Sequence, residues 1–175
     1  MKLENITLAG GCFWCIEAVY QNMRSIQKVT SGYANGDVQN PTYKAVCGGN
    51  TGYAEAVKVE FDTGIVSLEQ ILDVFWHIHD PTTPNRQGAD VGTQYRSGIY
   101  YTDEAQKAVI DESKKTAQEM FATPIVTEIK LLKNWYEAEE YHQNYFANNP
   151  YQGYCMAVVA PKVMKFREKF GDMFK

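Results

Sequence analysis

Ile6-Thr7-Leu8-Ala9-Gly10-Gly11-Cys12-Phe13-Trp14-Cys15-Ile16-Glu17-Ala18-Val19-Tyr20 reads as a strand, a stop and a helix in succession. Ile6 to Ala9 is a short apolar strand that the glycine pair ends. Ile16, Val19, Tyr20 and Met23 then recur at i, i+3, i+4 and i+7, the spacing of a helix's apolar face. Outward from this opening, strands and helices mix without strict alternation. Val29 to Tyr33 reads as a strand ended by Asn35-Gly36, and the Gly- and Asn-rich stretch 35–53 as loop with one helical turn. Val57, Val59 and Phe61 alternate with Lys58 and Glu60, a half-buried strand. Ser67-Leu68-Glu69-Gln70 fits a capping box that opens a helix reaching about Ile78. Asp80 to Gln94 reads as a long irregular segment and a candidate pocket wall, since long ordered loops are usually functional. Further strands are expected at Ser97–Tyr101 and Ile125–Leu132, and helices at Asp103–Phe121 and Trp135–Phe146. Pro161 suits the first turn of a last helix, with Phe166, Phe170 and Phe174 in a stripe. This order predicts an α+β fold: a two-layer α/β sandwich with a ferredoxin-like mixed sheet, helices laid on it, and long ordered loops.

The chain has 175 residues, without a visible repeat or a linker, so one domain over residues 1–175 is expected. Lys and Arg number 17 against 21 acids, a net charge of −4, which argues against binding a phosphate backbone. No apolar run nears the roughly 18 residues of a membrane span. The first residues, Met1-Lys2-Leu3-Glu4-Asn5, lack the apolar core of a secretion signal, which suggests a cytoplasmic, reducing setting. There the four cysteines, Cys12, Cys15, Cys47 and Cys155, suit redox or metal roles better than structural disulfides. The 12 Tyr, 8 Phe and 3 Trp suit a pocket with one apolar and one wet side.

Cys12 falls at the start of the first helix, where the helix N-terminus favours an anion and should lower the thiol pKa. A thiol at its ordinary pKa is only about 3% thiolate at pH 7, so such a shift matters. Cys15 lies one turn on, at the spacing of thiol–disulfide exchange motifs; two buried core cysteines would read the same way. One CxxC supplies two zinc ligands where a structural site needs four. His77, His79 and His142 form no pair with a cysteine, and His77 and His79 read as packing or capping groups. Glu55 opens an otherwise apolar strand: either an exposed strand residue, or an acid in a pocket with a raised pKa, able to donate a proton. Cys155 follows the Gly-rich stretch Asn149-Pro150-Tyr151-Gln152-Gly153-Tyr154, whose flexibility would let its thiol swing onto a partner sulfur.

Gly11-Cys12-Phe13-Trp14, Gly32-Tyr33 with Asn40-Pro41-Thr42-Tyr43, and Val46-Cys47-Gly48-Gly49-Asn50-Thr51-Gly52 with Ala54-Glu55 resemble the peptide methionine sulfoxide reductase A family. So do His79-Asp80-Pro81-Thr82-Thr83, Asn85-Arg86-Gln87-Gly88, Gln94-Tyr95-Arg96-Ser97, Tyr141-His142-Gln143 and Gly153-Tyr154-Cys155. The matches run in order over nearly the whole chain. The resemblance implies reduction of methionine sulfoxide, free or in proteins, of the S epimer. It implies that Cys12 is the nucleophile, left as a sulfenic acid, and that Glu55 protonates the leaving oxygen. Tyr43 and Tyr95 would hydrogen-bond that oxygen. Phe13 and Trp14 would wall the methyl pocket, with Tyr145 and Tyr154 also binding substrate and Asp90 ordering the site. Cys155 would resolve the sulfenic acid as a disulfide that thioredoxin reduces, with no cofactor or metal.

The chain departs from the family's pattern at three places. Cys15 stands where many members carry Gly, so it could resolve in place of Cys155, and Cys47 is a third possibility. Tyr53 stands where many carry His, and no cysteine follows Cys155. Two other readings remain open on the residues alone. One is a general CxxC thiol–disulfide oxidoreductase using Cys12 and Cys15, and the other a non-enzymatic methionine-binding module.

Overall fold

The computed structural model describes residues 2–175. The strands are β1 (Leu3–Ala9), β2 (Ile26–Ala34), β3 (Ala54–Asp62), β4 (Arg86–Gln87), β5 (Asp90–Val91), β6 (Gly98–Tyr101), β7 (Glu128–Leu131) and β8 (Trp135–Glu137). The helices are α1 (Phe13–Gln21), α2 (Tyr43–Cys47), α3 (Leu68–Ile78), α4 (Glu104–Gln118), α5 (Tyr145–Asn148) and α6 (Ala160–Lys169). Six strands form one sheet in the order β7-β6-β1-β3-β2-β8, and β4 pairs with β5. Only β6 and β7 run parallel; the other neighbours are antiparallel. The fold is the expected α+β with a mixed sheet.

Side-chain alternation along β3 sorts the two faces of the sheet. Val57, Val59 and Phe61 are fully buried in the main core with Phe13, Ile16 and Tyr20 of α1 and Ile71, Leu72 and Phe75 of α3. Glu55 shares their face, so a carboxyl occupies a position where the strand otherwise buries hydrocarbon. Ala54 and Ala56 belong to a second, smaller cluster with Ala9, Ala34 and Tyr100. The capping box at the start of α3 is present in both halves: Gln70 N–H donates to Ser67 Oγ and Ser67 N–H to Gln70 Oε1. His79 caps the other end of α3. It is buried, with Nδ1–H donating to the Phe75 carbonyl at 2.7 Å and Nε2 at 2.8 Å from Ser97 Oγ.

The structure corrects the sequence reading at three places. Trp135 to Phe146 is not a helix. Trp135–Glu137 is an edge strand on β2, with Ala34 opposite Trp135 and Gly32 opposite Glu137. A 3₁₀ turn at Glu140–His142 and the four-residue α5 follow, separated by Asn144 in the left-handed conformation (φ 58°). The aromatic residues satisfy either period, and the open edge of β2 takes them as a strand. Gly32 makes room for the Trp135 ring, which a Cβ there would meet at 2.5 Å.

The last helix starts before Pro161. Cys155–Val159 is wound as a π-turn that runs directly into α6, so Cys155 is held in helical backbone rather than in a flexible stretch. At its other end α6 stops at Lys169, and Phe174 returns through the Gly171–Met173 turn to bridge Met23. The aromatic stripe nevertheless forms, with ring centroids 5.9 Å apart for Phe166–Phe170 and 6.0 Å for Phe166–Phe174.

The segment from Asp80 to Gln94 is more regular than expected. Arg86–Gln87 and Asp90–Val91 close a small hairpin. A reciprocal pair ties its base: Asp80 N–H donates to Gln87 Oε1 at 2.8 Å, and Gln87 Nε2–H to the Asp80 carbonyl at 2.9 Å.

Candidate active site

Cys12 is the N-cap residue of α1, in extended backbone, with its side chain buried. Gly11 makes the turn from β1 at φ 86°, and its N–H donates to the Tyr95 carbonyl at 3.1 Å. That bond fixes Tyr95, at the end of a 3₁₀ turn, beside the start of the helix. Glu55 approaches from β3. Its Oε1 accepts the Phe13 N–H at 3.2 Å, while Oε2 is buried and has no partner among the described residues. Burial pushes the Glu55 carboxyl up to about 8, with Asp90 adding to the rise and the Phe13 N–H opposing it. A carboxyl in this state holds its proton at neutral pH.

Cys12 departs from expectation. Burial pushes its thiol well above the ordinary cysteine range, and the charges of Glu55 and Cys15 push the same way. The helix end opposes this only through the Trp14 N–H. The first turn of α1 holds no basic residue, and loss of water outweighs the dipole.

An aromatic box stands beside Cys12. The Phe13 ring lies 5.8 Å from Tyr33, 6.2 Å from Tyr43 and 5.1 Å from His142. Trp14 stacks flat on Tyr145 at 3.7 Å and meets the edge of Tyr154 at 5.9 Å. Tyr43 opens α2, whose N-cap Thr42 accepts the Ala45 N–H; its own N–H donates to Glu139 Oε2 at 2.9 Å. The Tyr43 and Tyr95 phenols are held above the usual tyrosine range by burial and by Glu55, so both stay neutral donors. Asp90 accepts the Tyr154 hydroxyl at 2.6 Å. A cavity of about 220 Å³ lies between Cys12, the Gln87–Asp90 turn and Tyr154.

The family model of peptide methionine sulfoxide reductase matches residues 4–173. The chain belongs to this family. A Deinococcus radiodurans protein called peptide methionine sulfoxide reductase MsrA is 52% identical over 174 residues, 98% of this chain and 84% of the relative. The crystal structure of reduced Saccharomyces cerevisiae Mxr1 superposes with a TM-score of 0.84 at 41% identity, covering 88% of this chain and 90% of the other. Mxr1 in complex with Trx2 gives 0.61 at 31% identity, covering 82% and 85%.

The reductase fold brings the residues expected at the site together, with Cys47 and Cys155 at its margins. Cys47 is exposed at the end of α2, with its sulfur in hydrogen-bonding reach of the Tyr43 hydroxyl. Cys155 is fully buried in its π-turn, and its charge is felt at the Cys15 thiol. Cys15 itself is buried on α1, at the third helical position, and its N–H donates to the Cys12 carbonyl at 3.1 Å. Burial pushes its thiol up to about 11.

Three residues support the site in roles the sequence does not show. His142 accepts the Trp14 indole N–H on Nδ1 at 3.0 Å. Glu139 accepts the Tyr33 hydroxyl at 2.7 Å as well as the Tyr43 N–H. Glu17 is fully buried; it accepts the Ser31 hydroxyl at 2.9 Å and the Tyr145 N–H at 3.2 Å, holding Tyr145 against Trp14. A signal for Glu17 was present, since it shares the helix face of Phe13, Ile16 and Tyr20, where an acid needs a buried partner.

Proposed function

We propose that this chain reduces methionine S-sulfoxide, free or within proteins, to methionine, and that residues 1–175 act as one catalytic domain. The observation that carries the proposal is the seating of Glu55: one carboxyl oxygen is pinned by the N–H of the residue after Cys12, and the other is buried with no partner among the described residues. Family membership and the 52% identical relative support the substrate class.

In this reaction Cys12 sulfur bonds to the sulfoxide sulfur as the S–O bond breaks. The departing oxygen takes two protons, one from the Glu55 carboxyl and one from the Cys12 thiol passed through the Glu55 carboxylate, and leaves as water. Tyr43 and Tyr95 donate to that oxygen while it carries charge, and Phe13, Trp14, Tyr145 and Tyr154 surround the methyl group. Water then hydrolyses the sulfur–sulfur bond, giving methionine and a Cys12 sulfenic acid, and Glu55 regains its proton. A second thiol condenses with the sulfenic acid, forming a disulfide and releasing water.

Of the two candidate resolvers, Cys15 rather than Cys155 would make the first closure. The N-cap and third helical positions reach one another across the first turn, as in a capping box. Cys155, beside Cys15, follows as the next thiol in the exchange. A thioredoxin-type dithiol in the cytoplasm would restore the reduced state, a role in keeping with the solved complex of Mxr1 with Trx2. Among the described residues no helix is long and apolar enough to cross a membrane.

Glu55→Gln tests the proposal. Methionine formation in a single turnover should fall by about 10²- to 10⁴-fold, with Cys12 still open to alkylation. Full activity in that variant would remove Glu55 from the reaction.

A further inference from the structure

Helix α1 grips Tyr145 at two points. The Trp14 ring stacks on the Tyr145 ring at 3.7 Å, with the planes 5° apart. One turn along the helix, Glu17 Oε1 accepts the Tyr145 N–H at 3.2 Å. Glu17 Oε2 accepts the Ser31 hydroxyl at 2.9 Å, and Gln21, a further turn on, donates to Asn144 Oδ1. Ser31 is tied to the same stretch, since its N–H and its carbonyl both pair with the Gln143 side-chain amide at 2.9 Å. Residues 143–145 depend on these ties. Asn144 is left-handed, and the four-residue α5 that Tyr145 opens has no side-chain cap and buries no residue.

Glu17 is a costly group to hold Tyr145 with. It is fully buried, and no ion pair among the described residues includes it. Burial pushes its carboxyl above the ordinary carboxylate range, against the Ser31 hydroxyl and the Asn144 and Tyr145 N–H groups that donate to it. Phe13, Ile16 and Tyr20 are what the rest of this helix face buries, and an acid among them costs stability that a hydrocarbon would not.

We propose that Glu17 is a positioning residue that fixes the wall of the methyl pocket: by holding the Tyr145 backbone it keeps the Trp14–Tyr145 stack in place as one slab, close enough to reject an alkyl group longer than methyl. Glu17 acts through Tyr145 and touches no substrate. The inference rests on the reductase reading above, in which Trp14 and Tyr145 face the methyl group.

Single turnovers of reduced protein, without reductant, test it on methionine S-sulfoxide and on its S-ethyl analogue, ethionine S-sulfoxide. The wild type, Glu17→Met and Glu17→Gln are compared over a range of sulfoxide concentrations, with folding checked by thermal melting. The wild type should favour the methyl compound by about tenfold or more, the worth of one methylene in a fitted pocket. Glu17→Met should raise the half-saturating concentration of methionine sulfoxide by about tenfold, the scale of one hydrogen bond to a charged group. Its limiting rate should stay within about twofold, the sign of lost binding rather than lost chemistry. Its preference for methyl over ethyl should shrink to within about threefold, because a loosened wall no longer rejects one methylene. Glu17→Gln should keep most of the affinity and the preference, since its amide oxygen can accept the Tyr145 N–H while its NH₂ donates to Ser31. A fall in limiting rate with the methyl preference intact would overturn the inference and leave Glu17 a general structural role. An unchanged half-saturating concentration would overturn it as well. Should Glu17→Met not fold, Ser31→Ala carries the test: the same split at about threefold supports the inference, and unchanged saturation and preference overturn it. A wild type inactive on both sulfoxides would sink the reductase reading first, and this inference with it.

Discussion

The Trp14 indole N–H donates to His142 Nδ1 at 3.0 Å, joining residues 128 positions apart across one wall of the site. Because Nδ1 accepts, the imidazole is neutral with its proton on Nε2. Burial favours that state, holding His142 below the ordinary histidine range against the opposing pull of Glu139.

Replacing this acceptor should loosen the wall. His142→Phe keeps a ring but leaves a half-buried indole N–H unpaired, at a cost of about 1–3 kcal/mol. KM for the sulfoxide should rise and the melting temperature fall. In the wild type the contact is complete above the unfolded-state pKa of histidine, about 6.5, and is lost as pH falls through the lower folded value. KM should therefore climb on the acid side, and a His142→Phe enzyme should lack that climb.

Glu55 gives the opposite pH sign. Its carboxyl must be protonated to act, so methionine formation should decline as pH rises through about 8. The same burial costs stability. The unfolded carboxyl ionises near 4.5 and the folded one near 8, so the penalty grows between those values and is fully present above the folded one. Glu55→Gln should thus melt higher than wild type at neutral pH, by on the order of 3 kcal/mol, while losing activity. The stability difference should disappear below pH 4.5, where the folded and unfolded carboxyls are both protonated.

The order of disulfides can be read by rapid quenching and peptide mapping. Cys12–Cys15 should appear first, because the two residues share the first turn of α1 while Cys155 is fully buried in the π-turn Cys155–Val159. Cys155→Ser should leave the first closure unchanged, and Cys15→Ser should slow it. A first disulfide of Cys12 with Cys155 in the wild type would reverse that order.

Gly32→Ala tests the edge strand. The new Cβ would meet the Trp135 ring and the Tyr136 carbonyl at 2.5–2.6 Å, so β8 must shift. Overpacking of this kind costs typically about 1–3 kcal/mol, read as a lower melting temperature. An unchanged melting curve would mean that β8 moves away freely.

What the sequence disclosed followed from how local each feature was. Cys12 at a strand–glycine–helix junction is a local pattern, and so is the Ser67–Gln70 capping box; both stand as read. Glu55 was legible because an acid broke the apolar alternation of its own strand. The thiol pKa of Cys12 was misread because the helix end is visible in sequence and the burial that outweighs it is not. Trp135–Glu137 was misread because its strand character comes from the open edge of β2, a hundred residues earlier. His142 and Glu139 act through partners that only the folded chain brings near.

The most direct measurement is a single turnover of reduced protein with excess methionine S-sulfoxide, the R epimer in parallel, and no reductant. The reductase reading predicts about one methionine formed and about two thiols lost per chain, with the S epimer alone. No methionine from either epimer would contradict it and leave Cys12 and Cys15 to disulfide exchange.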